Sequence, residues 1–321
     1  MGAMPKSNEI KLIRVYDAPL PMLWDAWANS DKISKWWGPR GFSLTTHNKD
    51  FKSGGHWNYT MHGPDGINYP NITHYLEVEK YSHLVYDHGA SADQPPMFRV
   101  QVHFSDLKGK SKMEMALILP TPEAAEETRK FIKSASGDST WDRLSEFLSK
   151  EASGKEEFVI NRSFPVSIDL MFELWTDPEK LAAWLPPTGF KMKFLRSEIK
   201  PGGSIFYEMY NDSNIKMFGR AEYLEVVKPN RIVYLQQFCD ENEKTIRHPM
   251  SATWPETMRT SIILAEEGPQ QTRVKIIWEA HGQVKKEELD TFVLARAGMT
   301  QGWTGSFNKL EEFILTQAKT L

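Results

Sequence analysis

Apolar positions along this chain follow two periods, and the switch between them happens twice in the same order. Residues 10–16 alternate as a strand, while 19–27 and 31–36 carry apolar groups at helical spacing. Pro19 and Pro21 suit a first helical turn, where the missing N–H costs little. Strict alternation then takes over. Trp57, Tyr59 and Met61 share one strand face, with His56, Asn58, Thr60 and His62 on the other. Phe98, Val100, Val102 and Phe104 alternate with Arg99, Gln101 and His103, and Met113, Met115, Leu117 and Leu119 with Lys112, Glu114 and Ala116. One buried face and one wet face predict an antiparallel sheet. Gly54-Gly55 and Gly109-Lys110 mark hairpin turns, and Phe131, Ile132, Trp141, Leu144, Phe147 and Leu148 return to helical spacing.

The second half repeats this order. Trp27 and Trp175, Trp36 and Trp184, Gly41-Phe42 and Gly189-Phe190, and Gly54-Gly55 and Gly202-Gly203 share one offset, 175 − 27 = 148. Leu76-Glu77-Val78 matches Leu224-Glu225-Val226 and Val85-Tyr86 matches Val233-Tyr234 at the same spacing. Rare tryptophans and paired glycines do not coincide this way by chance. The offset then grows to 260 − 100 = 160, so the second copy has gained residues between 236 and 255. A period of this size is a duplicated domain, since solenoid units run only to about 50 residues. The copies span 8–150 and 156–318, joined by a short polar linker at 151–155.

Each copy therefore reads as α+β: a strand, two short helices, a curved antiparallel sheet of about six to seven strands in all, and a long C-terminal helix covering its apolar face. In copy two that helix carries Leu289, Phe292, Val293, Trp303, Phe307, Leu310, Phe313 and Ile314. Gly298, Gly302 and Gly305 are costly inside it, at about 1 kcal/mol each against alanine. They predict a kink or a close backbone approach.

Composition narrows the function classes. The 321 residues carry a net charge of −3, so there is no basic excess to neutralise a phosphate backbone, and nucleic acid is excluded as the expected partner. The single cysteine, Cys239, rules out an intrachain disulfide and any Cys-rich metal site, and points to a cytoplasmic location. No apolar run reaches the roughly 18 residues of a membrane span, and Pro5, Lys6, Asn8 and Glu9 break any signal-peptide core. What exceeds ordinary core demand is the aromatic content, 12% with 11 Trp.

Several segments carry a family likeness: Trp184-Leu-Pro-Pro-Thr-Gly189-Phe190, Lys200-Pro201-Gly202-Gly203, Trp254-Pro255, and Met299-Thr-Gln-Gly-Trp303-Thr-Gly-Ser-Phe307. With the order of elements, they resemble the SRPBCC (START-like) helix-grip superfamily, and within it the C-terminal domain of activators of heat-shock protein 90 ATPase. Copy one resembles it through Trp36-Trp37-Gly38-Pro39-Arg40-Gly41-Phe42 and Lys52-Ser53-Gly54-Gly55, but has Pro95-Pro96-Met97 for Trp-Pro-Glu and Gly137-Asp-Ser-Thr-Trp141 in its last helix. The resemblance implies a cavity between sheet and long helix, used in the superfamily for lipids, sterols, hormones and polyketides, and in some branches for cyclase or hydrolase chemistry. The activator's separate N-terminal domain has no counterpart here.

Catalytic and metal signatures are weak. Gly109-Lys110-Ser111 lacks the earlier glycine of a P-loop, position 104 being Phe. Seven of nine histidines lie in copy one (His47, His56, His62, His74, His83, His88, His103), yet His56, His62 and His103 fall on the polar strand phase, where solvation suffices. Cys239, at the start of the inserted loop with Arg247 and His248, reads first as a small packed hydrophobe. The loop is long for a hairpin connection and suits a lid or surface decoration equally. No catalytic residue, metal site or cofactor is assigned.

The inward aromatic and Met positions carry the functional expectation: Trp57, Tyr59 and Met61 in copy one, and Phe190, Met192, Tyr207, Met209, Trp254, Trp278 and Trp303 in copy two. They predict non-catalytic binding of a small hydrophobic or amphipathic ligand or lipid, first of all in copy two, with Trp303 and Trp254 at the border and Tyr207 and Met209 as the floor. Two alternatives stand beside it: a chaperone-associated interaction module, and a cyclase or hydrolase acting in the cavity.

Overall fold

The structure, a computed structural model, describes residues 7–89, 91, 93–134, 139–213 and 215–317. Pro5 and Lys6, Gly137 and Asp138 of the copy-one run, and residue 318 lie outside the described residues. The chain divides into two compact units, Met1–Ser153 and Gly154–Leu321.

Unit 1 contains β1 (Glu9–Tyr16), α1 (Leu20–Ala28), α2 (Ser30–Ile33), β2 (Ser43–Lys49), β3 (His56–His62), β4 (Asn68–Glu79), β5 (His83–Gly89), β6 (Phe98–Asp106), β7 (Ser111–Ile118), α3 (Pro122–Ser134) and α4 (Ser139–Ser153). Its strands form one antiparallel sheet in the order β1-β7-β6-β5-β4-β3-β2. Unit 2 repeats the plan with β8 (Phe158–Phe164), α5 (Ile168–Thr176), α6 (Pro178–Trp184), β9 (Lys191–Ser197), β10 (Ser204–Tyr210), β11 (Lys216–Val227), β12 (Arg231–Cys239), β13 (Thr257–Gly268), β14 (Gln271–His281), α7 (Lys286–Leu294) and α8 (Arg296–Gln317). Its sheet order is β8-β14-β13-β12-β11-β10-β9. The α+β expectation holds, with seven strands in each sheet.

The same side chains do the same work at corresponding places. Asn29 accepts hydrogen bonds from the backbone N–H groups of Asp31 and Lys32 and so starts α2; Asp177 does this for α6 from Glu179 and Lys180. The Trp36 indole donates to the Ala26 carbonyl at 3.1 Å, and Trp184 donates to Leu174 at 3.1 Å. Both indoles are fully buried, so each must find an acceptor inside the core. The Ser111 hydroxyl donates to the Ala18 carbonyl at 2.6 Å, and Thr272 to Val166 at 2.9 Å. These last bonds fix β14 against β7 at an offset of 272 − 111 = 161. The register agrees, because Leu117 faces Ile10 just as Trp278 faces Phe158.

In unit 1 α3 and α4 lie on either side of residues 135–138, which are outside the described residues, and in unit 2 the terminal helix is two consecutive helices. In unit 2 the break falls at Ala295, and α8 then runs through all three glycines, sending Trp303, Phe307, Leu310 and Ile314 into the core. The expected close approach exists at one of them: a Cβ on Gly305 would sit 2.7 Å from the Thr188 Oγ1, whereas Gly298 and Gly302 face open space. Gly305→Ala should therefore destabilise unit 2 by about 1–3 kcal/mol through overpacking. Gly298→Ala and Gly302→Ala should each stabilise it by up to about 1 kcal/mol through helix propensity. Chemical denaturation of the three variants separates the two effects by sign.

The insertion of copy two packs onto α7. Arg247 pairs with Glu288 at 2.5 Å and donates to the Trp254 carbonyl at 3.1 Å, the Thr253 and Thr291 hydroxyls meet at 2.8 Å, and the Trp254 ring lies 5.8 Å from Phe292. Its short bridges pair Cys239 with Thr245 and His248 with Ser251.

Candidate functional site

In unit 1 a hollow of about 190 Å³ opens between the sheet and the first turn of α4. Strand alternation places Tyr59 and Met61 of β3, Asn71 of β4, Tyr86 and His88 of β5, Val100 of β6, and Met115 and Leu117 of β7 along its floor. Its walls are Trp37, Gly38 and Pro39 from the loop after α2, with Thr140 and Trp141 from α4. Trp37 and Trp141 stand edge to face, 6.1 Å between ring centres.

The wall loop is fastened to the helix rather than loosely draped over it. Arg143 donates to the carbonyls of Gly38 at 2.8 Å and Pro39 at 2.9 Å, and Arg40 grips Glu146 through two nitrogens, at 2.9 and 2.5 Å. Guanidinium forks suit such multi-acceptor clamps because their donors are fixed in one plane.

Among the described residues no charged side chain lines the hollow. Burial pushes His88 down to about 4, so its imidazole is neutral at physiological pH, and the ring stacks on Phe98 with 4.8 Å between centres. Burial likewise raises Tyr59 and Tyr86 above the ordinary phenol range, so both remain donors. The Tyr59 hydroxyl accepts from the Trp37 indole at 3.3 Å, and Asn71 donates to the Tyr69 carbonyl at 2.8 Å, leaving its amide oxygen as an acceptor. The lining is thus aromatic and aliphatic with a few uncharged polar groups, the usual make-up of a small-molecule site.

Of the residues singled out in copy one, Tyr59 and Met61 line the hollow. Trp57 is buried beside it, stacked on Tyr59 at 3.9 Å and donating to the Thr46 hydroxyl at 3.1 Å. The copy-two candidates fall elsewhere. Met192 and Met209 face each other across β9 and β10, and Tyr207 lies between Phe194 and Gly219. A Cβ on Gly219 would come within 2.3 Å of the Tyr207 ring, so the ring covers the glycine backbone. Phe190 is half-buried at the turn before β9. Trp303 packs among Trp175, Trp278 and Phe307, and Trp254 packs against Phe292 and His248.

A second, shallower hollow of about 310 Å³ lies where β11 meets the insertion, bordered by Lys216, Phe218, Cys239, Asp240 and Ile246. Neither hollow takes its walls from the seven copy-two candidates. Cys239 is buried, and burial pushes its thiol up to about 11, which fits a packed small hydrophobe. The described residues hold no cluster of three or more potential metal ligands. His62 bonds Thr45 and Asn68, and His83 pairs with Glu77 and Glu79.

Sequence reasoning missed Tyr86, His88, Asn71, Trp37 and Trp141. Two signals could have found the first two. Tyr86 repeats as Tyr234 at the duplication offset, and His88 stands in phase with Leu84 and Tyr86 on one strand. A tyrosine trio indeed recurs: buried Tyr59, Tyr75 and Tyr86 in unit 1, and partly buried Tyr207 with buried Tyr223 and Tyr234 in unit 2.

Comparison with known proteins follows this geometry. The family model described as activator of Hsp90 ATPase homolog 1-like protein matches residues 17–149 and 165–314. Among solved structures, a protein of Mycobacterium smegmatis is similar at 19% identity and TM-score 0.42, over 50% of this chain and 90% of its own. The AHSA1 protein of Silicibacter pomeroyi is similar at 18% identity and TM-score 0.40, over 50% and 99%. The di-domain ARO/CYC BexL from the BE-7585A biosynthetic pathway is similar at 10% identity and TM-score 0.37, over 95% and 98%. No curated protein matched. No helix among the described residues is long and apolar enough to cross a membrane. With one family model accounting twice for most of its length, the chain belongs to the activator of Hsp90 ATPase homolog 1-like family, as a tandem duplication of that domain.

Proposed function

We propose that unit 1 binds a small, uncharged, largely apolar molecule in the hollow between its sheet and α4. The observation that carries this reading is a concavity of about 190 Å³ with aromatic walls, uncharged polar groups on its floor and a rim clamped by Arg40 and Arg143. A closed apolar cavity of about 150 Å³ already accepts benzene. The hollow is therefore matched to compounds of one or two rings, not to long lipid chains.

We place the site in copy one rather than copy two, and one contrast between the copies supports this. Leu117 borders the hollow of unit 1, while its counterpart in unit 2 is the indole of Trp278, packed 5.6 Å from Trp303. On the sheet itself the unit 2 indole stands where unit 1 has an isobutyl group.

Because Trp37 and Trp141 are walls, an entering ring compound should change tryptophan fluorescence. It should also raise the melting temperature, by about 2.7 kcal/mol of added stability at a hundredfold excess over Kd. Trp37→Phe with Trp141→Phe should abolish the fluorescence change and keep the thermal shift. A panel of one- and two-ring compounds that produces neither signal would overturn the reading.

A further inference from the structure

The two copies treat one position of the floor differently. Position 88 of copy one corresponds to 236 of copy two at the 148 offset, and position 100 corresponds to 260 through the shared register Tyr86 to Val100 and Tyr234 to Thr260. In unit 2 the polar group at this place is satisfied internally, because Thr260 donates its hydroxyl to the Gln236 side-chain oxygen at 3.3 Å. In unit 1 the place of Thr260 is taken by Val100, which has no polar side-chain group, and His88 itself faces Phe98. Among the described residues neither the His88 ring nor the Tyr86 hydroxyl hydrogen-bonds a protein group, and both border the hollow.

His88 and Tyr86 are alternate residues of β5, so they share a face about 7 Å apart along the strand. Both side chains border the hollow, so a ligand group there has both as neighbours. A neutral imidazole has one nitrogen that accepts and one that donates, and a phenol can donate. A hydroxyl is the complementary group, donating to His88 while accepting from Tyr86. Among the described residues of this lining a carboxylate would meet no cation and an ammonium no anion.

Resting on the proposed binding role of unit 1, we infer that its ligand class is the uncharged aromatic alcohols, with the hydroxyl held between His88 and Tyr86 and the rings against Trp37 and Trp141. His88 is then the residue that sets specificity, and unit 2, with Gln236 and Thr260 bonded to each other, lacks that selectivity. Burial supports the assignment by keeping the imidazole neutral, with its acceptor nitrogen free at physiological pH.

Calorimetric titration of the full chain at neutral pH with 2-naphthol, naphthalene and 2-naphthoate tests this. The wild type should bind 2-naphthol at least about tenfold more tightly than either other probe, the worth of one well-made buried hydrogen-bond pair. His88→Leu should bring 2-naphthol to within about threefold of naphthalene. His88→Gln combined with Val100→Thr, which installs the internally bonded pair of unit 2, should do the same with the fold retained. Equal wild-type affinity for 2-naphthol and naphthalene, a preference for 2-naphthoate, or a 2-naphthol preference that survives both variants would overturn this inference and leave the binding role standing. Failure of all three probes to bind would overturn both.

Discussion

Trp36→Ala should cost unit 1 about 3–5 kcal/mol, a large part of the total stability of a domain this size. The indole is fully buried, its ring lies 5.4 Å from both Trp27 and Trp37, and its N–H is satisfied by the Ala26 carbonyl. Truncation removes the packing, opens a cavity and strips the carbonyl of its partner at once. Trp184→Ala should cost unit 2 a similar amount, since that ring is 4.6 Å from Trp175 and bonds Leu174 in the same way. Guanidinium unfolding of the two variants checks both numbers. A loss under about 1 kcal/mol in either would show that the duplicated tryptophans are not the keystone of the fold.

Leu117→Trp should remove ligand binding from unit 1 without harming the fold. It gives β7 the residue that β14 carries at the corresponding place, Trp278, and sets an indole against the floor of the hollow. Overpacking against a bound ring costs about 1–3 kcal/mol, which lowers affinity by up to about a hundredfold. The free protein has room for the larger side chain, so its melting temperature should hold or rise. Titration and thermal unfolding of one preparation measure both. Binding that survives unchanged would place the ligand elsewhere.

The duplication was legible because its markers are rare residues at a fixed spacing: Trp27 and Trp175, Trp36 and Trp184, and the paired glycines at the first hairpin. The sheets were legible from alternation, for a half-buried strand must repeat every two residues. That copy one carries a hollow beside α4 was not legible. It depends on Leu117 and Val100 standing side by side on the unit 1 sheet where unit 2 has Trp278 and Thr260, and this follows only from strand register. Trp303 and Trp254 were read as cavity borders because large aromatics at inward positions can either wall a pocket or fill it, and sequence periodicity is the same in the two cases. Trp303 lies among the rings of Trp175, Trp278 and Phe307. His88 escaped notice for the opposite reason. A histidine near the end of a strand looks solvated until its phase with Tyr86 carries it to the floor. Gly305 was partly legible, since a glycine inside a helix signals a cost, but only the position of Thr188 distinguishes it from Gly298 and Gly302.

The central claim is that unit 1 holds one small-molecule site under α4. Calorimetric titration of the full chain with 2-naphthol, run side by side on the wild type and Leu117→Trp, tests it most directly. The account predicts one bound molecule per chain for the wild type and loss of that site in the variant. No binding to the wild type, or the same isotherm from both proteins, would contradict it.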